Sequence, residues 1–152
     1  FLNAYFNTFT RLAEYLEETK AYARKFGYTE TLFGRRRHFP GMQSTAPFIR
    51  AAAERMAINA PVQGTAADVM RVAMNEIYAY LKQAGKLDDV RMLLQVHDEL
   101  VFEIKTEKVE TELPKLKALM EGVLRNSETY GVPLTAESKV GPNWGELEEV
   151  GK

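Results

Sequence analysis

The sequence predicts an α+β fold: a small antiparallel sheet organised around a central β-hairpin and packed against several helices. Three observations carry this. Apolar residues recur at helical spacing in several stretches. Two apolar runs, Met92–Val96 and Leu100–Phe102, flank the polar triplet His97-Asp98-Glu99 with no glycine or proline between them. Further on, Leu134, Ala136, Ser138 and Val140 alternate with Thr135, Glu137 and Lys139, as a half-buried strand does.

In chain order, Leu2, Tyr5, Phe6, Phe9, Leu12, Ala13, Leu16 and Ala23 mark residues 1–26 as one helix, or two if Asn7-Thr8 interrupts it, with Gly27 as the stop. Tyr28 to Leu32 then reads as a strand, Phe33-Gly34 as a turn and Arg36 to Phe39 as the returning strand, ended by Pro40-Gly41. From Pro47 the run Ala51-Ala52-Ala53-Glu54-Arg55-Met56-Ala57-Ile58-Asn59 is helical by propensity. Pro61 lacks an N–H and crowds the carbonyl of Ala57, so the helix is expected to kink or stop there and Gly64 to complete the break. Thr65 is then the expected cap of a second helix, with Asp68 in a box-like position and Gly85 closing it. After the central hairpin, Thr106 is the expected N-cap of a helix that buries Val109, Leu113, Leu116, Met120, Val123 and Leu124. Gly141 to Gly145 forms a turn, and a polar tail follows.

The central hairpin needs a tight turn at His97-Asp98, and such turns ordinarily require φ > 0, where glycine or asparagine costs least. His and Asp tolerate that region better than most residues, at some cost in strain. An imidazole and a carboxylate are thereby held at the lip of a sheet, where a catalytic carboxylate would sit.

Length and composition set bounds. The 152 residues favour one domain, and 45% hydrophobic with 27% charged residues are the proportions of a folded globular chain. A net charge of −1 supplies no global field for nucleic acid, so any such contact must be local. Without cysteine there are no disulfides or thiolate metal sites, which fits a reducing compartment. No apolar run reaches membrane-spanning length, so no membrane partner is expected. The start at Phe1 rather than Met suggests a fragment of something longer.

Arg55, Asn59 and Gln63 stand at i, i+4 and i+8, on one helix face if the kink at Pro61 is mild. Such a row is commonly a solvated face. The sharper reading is a line of donors for the minor groove, whose purine N3 and pyrimidine O2 acceptors are nearly equivalent in all base pairs and report pair geometry rather than sequence. Arg35, Arg36 and Arg37 are the only dense cationic cluster, either a solvated turn or a phosphate contact.

The string Leu94-Gln95-Val96-His97-Asp98-Glu99-Leu100 resembles the third palm motif of the family A DNA polymerases, those of bacterial DNA polymerase I type. Arg55 to Thr65 resembles that family's helix behind the primer terminus, and Thr31 to Arg37 its arginine-bearing hairpin. Val140 to Trp144 is similar to the family's C-terminus, where Trp144 reads as an anchor on the sheet. The resemblance implies a C-terminal palm and fingers fragment: one partial domain over 1–152, with the fingers-side helix and small hairpin in 1–46. Residues 47–152 would then hold the palm helices, the catalytic hairpin and the C-terminal strand. It implies catalytic roles for Asp98, Glu99 and His97, with Asp98 a ligand of Mg²⁺ in a two-metal site completed by an aspartate that this chain lacks. Primer–template DNA would be met by Arg55, Asn59, Gln63 and the arginines 35–37, and deoxynucleoside triphosphate by the full-length enzyme. The implied activity is template-directed nucleotidyl transfer in the cytoplasm of a bacterial or phage-infected cell, with the isolated fragment inactive and able to self-associate through the bared hairpin. Two rival readings are a DNA-binding module without chemistry and a metal-dependent phosphohydrolase using His97-Asp98. The latter needs further ligands, and the only other histidine is His38.

Overall fold

The computed structural model describes residues 2–125 and 127–150. The chain divides into two compact units, Phe1–Asp68 and Val69–Lys152, with the boundary inside one long helix. Strand pairing among the described residues forms three two-stranded antiparallel sheets rather than one small sheet, and the α+β class holds. No described helix is long and apolar enough to cross a membrane.

The first unit opens with α1 (Leu2–Thr8) and α2 (Thr10–Phe26), so the N-terminal stretch is two helices separated at Phe9. Gly27 ends α2 at φ 77°, where its N–H donates to the Ala23 carbonyl; only a residue without Cβ takes that conformation cheaply. β1 (Tyr28–Glu30) and β2 (Arg36–His38) pair as the expected hairpin, and a 3₁₀ turn, Pro40–Gln43, leads to α3 (Pro47–Gln83). The core is Ala23, Phe39 and Met42 against Ala53, Ala57 and Ala60 of α3. Those alanines share one helix face, and their small side chains let the neighbouring segments come close. Much of the apolar stripe of α1 and α2 stays open: Tyr5, Phe9 and Leu12 are exposed.

The expected break after Asn59 does not occur, because α3 runs unbroken through Pro61 and Gly64. A proline inside a helix costs about 3 kcal/mol, and the alanine face packed over the two turns before it helps to offset that cost. Gly64 is a close-approach residue, not a stop: a Cβ there would lie 2.5 Å from Thr31 Cγ2. Thr65 and Asp68, which resembled a cap, serve as tertiary acceptors. The Thr65 hydroxyl takes the Leu32 N–H at 3.0 Å, and Asp68 Oδ1 takes Arg35 Nε at 2.7 Å.

In the second unit α3 closes through Lys86 N–H to Leu81 O at 2.8 Å, with Gly85 at φ 65° as expected. β3 (Val90–Val96) and β4 (Glu99–Ile104) form the central hairpin, and a 3₁₀ turn, Thr106–Lys108, precedes α4 (Val109–Glu121). Ile77, Leu81, Val90 and Leu116 are buried together, with Met92, Leu100, Phe102 and Ile104 packed on them. Each fully buried side chain of this kind stabilises by roughly 1.5–3 kcal/mol. Thr106 does not cap α4; it lies in the 3₁₀ turn, and the helix starts from Lys108 without a side-chain cap. Val123 and Leu124 fall beyond the helix end. Leu134 to Val140 keeps its alternating burial, yet only β5 (Lys139–Val140) pairs, with β6 (Glu148–Glu149) in the stretch expected to be a tail. Trp144, the expected anchor on the sheet, is 54% exposed in the turn between them.

Candidate active site and nucleic-acid interface

Val96 pairs with Glu99, which leaves His97-Asp98 as a two-residue turn at the tip of the β3–β4 hairpin. His97 takes the positive φ that so tight a turn demands, at 53°, while Asp98 stays at negative φ. A non-glycine residue there carries strain of about 1–3 kcal/mol, which the surroundings must over-determine. Part of that support is Gln95, whose Nε2 donates to the His97 carbonyl at 2.9 Å. Gln95 was not singled out from the sequence, because nothing in its spacing distinguishes it from a solvent-facing strand residue. At the other end of the hairpin, Lys105 Nζ donates to Asp89 Oδ1 at 2.6 Å and the Lys105 N–H to the Asp89 carbonyl at 3.0 Å.

A bulge between Met92 and Leu94 reverses the faces of β3 halfway along. Met92 opposes Phe102 on the core side, but Leu94 opposes Val101 on the other side. Leu93 and Leu94 are consequently exposed, and the tip stands clear of the helices' core rather than at the edge of a buried sheet. His97, Asp98 and Glu99 are all exposed, and their side chains make no hydrogen bond or ion pair with the described residues. The carboxylate oxygens of Asp98 and Glu99 are therefore available as ligands. Hard oxygen donors suit Mg²⁺, which is commonly held through one or two carboxylates while the rest of its shell comes from water and phosphate. The pair fits part of such a site. Among the described residues no group of three or more His, Asp or Glu could hold a metal ion.

Continuity of α3 through Pro61 keeps Arg55, Asn59 and Gln63 in one row, about 12 Å long at the ordinary rise per residue. All three are exposed, on the side away from the alanine face, and none is engaged with another described residue.

The three arginines of the small hairpin differ sharply. Arg35 is tied down by Asp68 and by the Gly64 carbonyl, 3.0 Å from Nη2. Arg36 donates to Glu30 at 2.7 Å and lies 4.6 Å from the Tyr28 ring centre. Arg37 rests over Phe39, 5.6 Å from its ring centre, and makes no ion pair among the described residues.

Periodicity alone also missed Glu112, which is buried in the middle of α4's apolar face. Lys86 Nζ and the Tyr80 hydroxyl each donate to its carboxylate at 2.8 Å, and Lys115 Nζ does so at 3.1 Å. Burial alone would raise its pKa, but the hydrogen bonds from Lys86, Tyr80 and Lys115 outweigh burial and hold it at about 2. The same contacts, Glu112 foremost and then Tyr80, push the Lys86 ammonium up.

The hairpin tip thus presents exposed carboxylates, and α3 presents a row of exposed donors. The chain belongs to DNA polymerase family A, whose sequence pattern it matches over residues 1–146. It is 45% identical over 146 residues to DNA polymerase I of Rhizobium leguminosarum, covering 96% of this chain and 14% of that protein. With the thermostable DNA polymerase I of Thermus aquaticus the identity is 44% over 144 residues, 95% of this chain and 16% of that one. The chain thus spans about a seventh of the length of these relatives. Its fold is similar to the POL domain of Pol1 from M. smegmatis in complex with DNA primer-template and dNTP. The TM-score is 0.79 at 40% identity, over 88% of this chain and 22% of that one.

Proposed function

We propose that this chain is the C-terminal palm and fingers part of a template-directed DNA polymerase that extends a primer from deoxynucleoside triphosphates. The observation that carries the reading is the turn itself: Asp98 and Glu99, free of internal partners, presented by a strained two-residue turn that Gln95 supports. In this reading Asp98 holds Mg²⁺, together with an aspartate from outside these residues, and Glu99 is an acidic neighbour. When bound, Mg²⁺ eases ionisation of the primer 3′-hydroxyl and neutralises charge on the triphosphate. His97 offers a hydrogen bond beside the primer end. Arg55, Asn59 and Gln63 donate to minor-groove acceptors of the newly formed pairs, and the arginine hairpin meets the phosphate backbone. The enzyme works on DNA in the bacterial cytoplasm, in replication and repair. Taken alone, the stretch self-associates through the open apolar face at Leu93 and Leu94.

The reading has a direct test in the isolated 152 residues, which bring one carboxylate cluster to a reaction that needs a second. They should incorporate no nucleotide on a primed template, whereas the enzyme carrying them should do so with template direction. Template-dependent incorporation by the isolated stretch, abolished by Asp98→Ala, would mean that the site is complete within these residues and that the proposed division is wrong.

A further inference from the structure

We propose that Arg35 is a positioning residue for pairing discrimination, acting through Gln63 by pinning α3 just beyond its internal proline. The inference rests on the polymerase reading above, in which Gln63 donates to the minor groove, and adds a residue that acts on it through the protein. An uninterrupted helix would hold Arg55, Asn59 and Gln63 in register by its own hydrogen bonds. In α3 that ladder has a gap. Pro61 has no N–H, so the bond that would run back to the Ala57 carbonyl is missing, and prolines are where helices bend. The gap lies inside the row, between Arg55 and Gln63. Gly64 follows, the weakest helix former after proline. The helix's own bonds therefore leave the angle between the two halves of the row loosely fixed.

Contacts from outside the helix fix that angle on both sides of the gap. One residue before Arg55, Glu54 Oε1 accepts from Arg24 Nε at 3.1 Å and from its Nη2 at 2.7 Å. One residue after Gln63, the Gly64 carbonyl accepts from Arg35 Nη2 at 3.0 Å, and one turn on Asp68 Oδ1 accepts from its Nε at 2.7 Å. Arg35 is itself held in place. Its N–H donates to the Thr31 hydroxyl at 3.1 Å, and its carbonyl accepts the Thr31 N–H at 2.9 Å. A guanidinium is a planar fork, so two bonds from it set direction as well as distance, which a lysine ammonium does not do. Direction is what Gln63 needs. A hydrogen bond to a base weakens steeply with misalignment, so a donor held at one angle serves a correct pair and loses a displaced one. A donor free to swing at the bend would follow the acceptors of a mispair and discriminate less.

The test is single-turnover extension of matched and mismatched primer ends by the polymerase that carries this chain, read as the ratio of the two rates. Arg35→Lys keeps a charge beside Asp68 but not the fork, and should narrow the ratio about threefold, a part of what one lost hydrogen bond to a base is worth. Arg35→Ala should narrow it further, toward the ratio of Gln63→Ala. In the Gln63→Ala background neither substitution should narrow it again, because the two residues act as one unit. Glu112→Ala, which lowers stability in the other compact unit, should leave the ratio alone and so separates positioning from stability. The same narrowing with Gln63 present or absent, or an equal narrowing in Glu112→Ala, would overturn the proposal. Equal weakening of both primer ends with a flatter salt dependence would overturn it too, since Arg35 would then be a phosphate contact. A ratio that responds to Gln63→Ala but to neither Arg35 variant would overturn this inference alone, whereas a ratio indifferent to Gln63→Ala would overturn the minor-groove reading beneath it as well.

Discussion

Arg35 donates through Nε to Asp68 Oδ1 at 2.7 Å and through Nη2 to the Gly64 carbonyl at 3.0 Å, fastening the turn of the small hairpin to the middle of α3. The carboxylate is buried and the guanidinium about half exposed. Arg35→Ala should therefore cost roughly 1–3 kcal/mol, below the value for a fully buried pair because the guanidinium is partly solvated. At this chain length that lowers Tm by several degrees. Gly64→Ala should act in the same direction. Alanine gains about 1 kcal/mol in helix propensity over glycine, but its Cβ would collide with Thr31 Cγ2, and overpacking costs about 1–3 kcal/mol. Thermal melts of both variants check this; a Gly64→Ala protein more stable than the original would show that Thr31 moves aside freely.

Glu112 makes a pH-dependent contribution with a definite sign. Its folded-state pKa, about 2, lies below the ordinary value of 4.5, so the stability it supplies is present above pH 4.5 and lost as pH falls toward 2. Lys86 acts oppositely: its raised pKa gives stability below 10.5 that is lost in strong alkali. Urea midpoints from pH 5 to pH 2 should fall less steeply in Glu112→Gln than in the original chain. Parallel slopes would mean that the carboxylate is not held in its ionised form. At neutral pH, Glu112→Ala should cost about 2–3 kcal/mol, since it leaves Lys86 and Tyr80 without their shared acceptor.

Gln63 and Arg55 should govern discrimination rather than folding. Both are exposed and without internal partners, so truncation removes nothing from the fold. Each lost hydrogen bond to a base is worth roughly 0.5–1.5 kcal/mol, more for the charged Arg55. Gln63→Ala in the polymerase should narrow the rate gap between matched and mismatched primer ends by up to about tenfold. If the gap is unchanged and Tm falls instead, the row is a structural surface.

Much of this was legible in the residues. The hairpin and its positive-φ turn followed from two apolar runs with no glycine between them, and Gly27 and Gly85 marked their helix ends. Most of the errors around α3 and α4 share a cause: local rules assign to the chain itself residues that are used for distant contacts. Pro61, Gly64 and Thr65 together look like a helix break, yet Gly64 admits Thr31, Thr65 receives Leu32 and Asp68 receives Arg35. Glu112 sat unnoticed in an apolar stripe because its partners Tyr80 and Lys86 lie 32 and 26 residues away. The bulge at Leu93 was hidden for a different reason, since a run of apolar residues reads the same on either face of a strand. At the site, residue types were readable but their states were not. Only the contacts separate Arg37, without an acid partner, from Arg35 and Arg36.

The central claim is that Asp98 is a catalytic carboxylate and not merely a turn residue. Single-turnover insertion of one nucleotide by the polymerase carrying Asp98→Ala, measured beside its primer–template affinity, tests this most directly. The account predicts a rate at least about a thousandfold lower, equivalent to roughly 4 kcal/mol of barrier, with DNA affinity within a few-fold. A rate within tenfold of the original, at unchanged affinity, would contradict it.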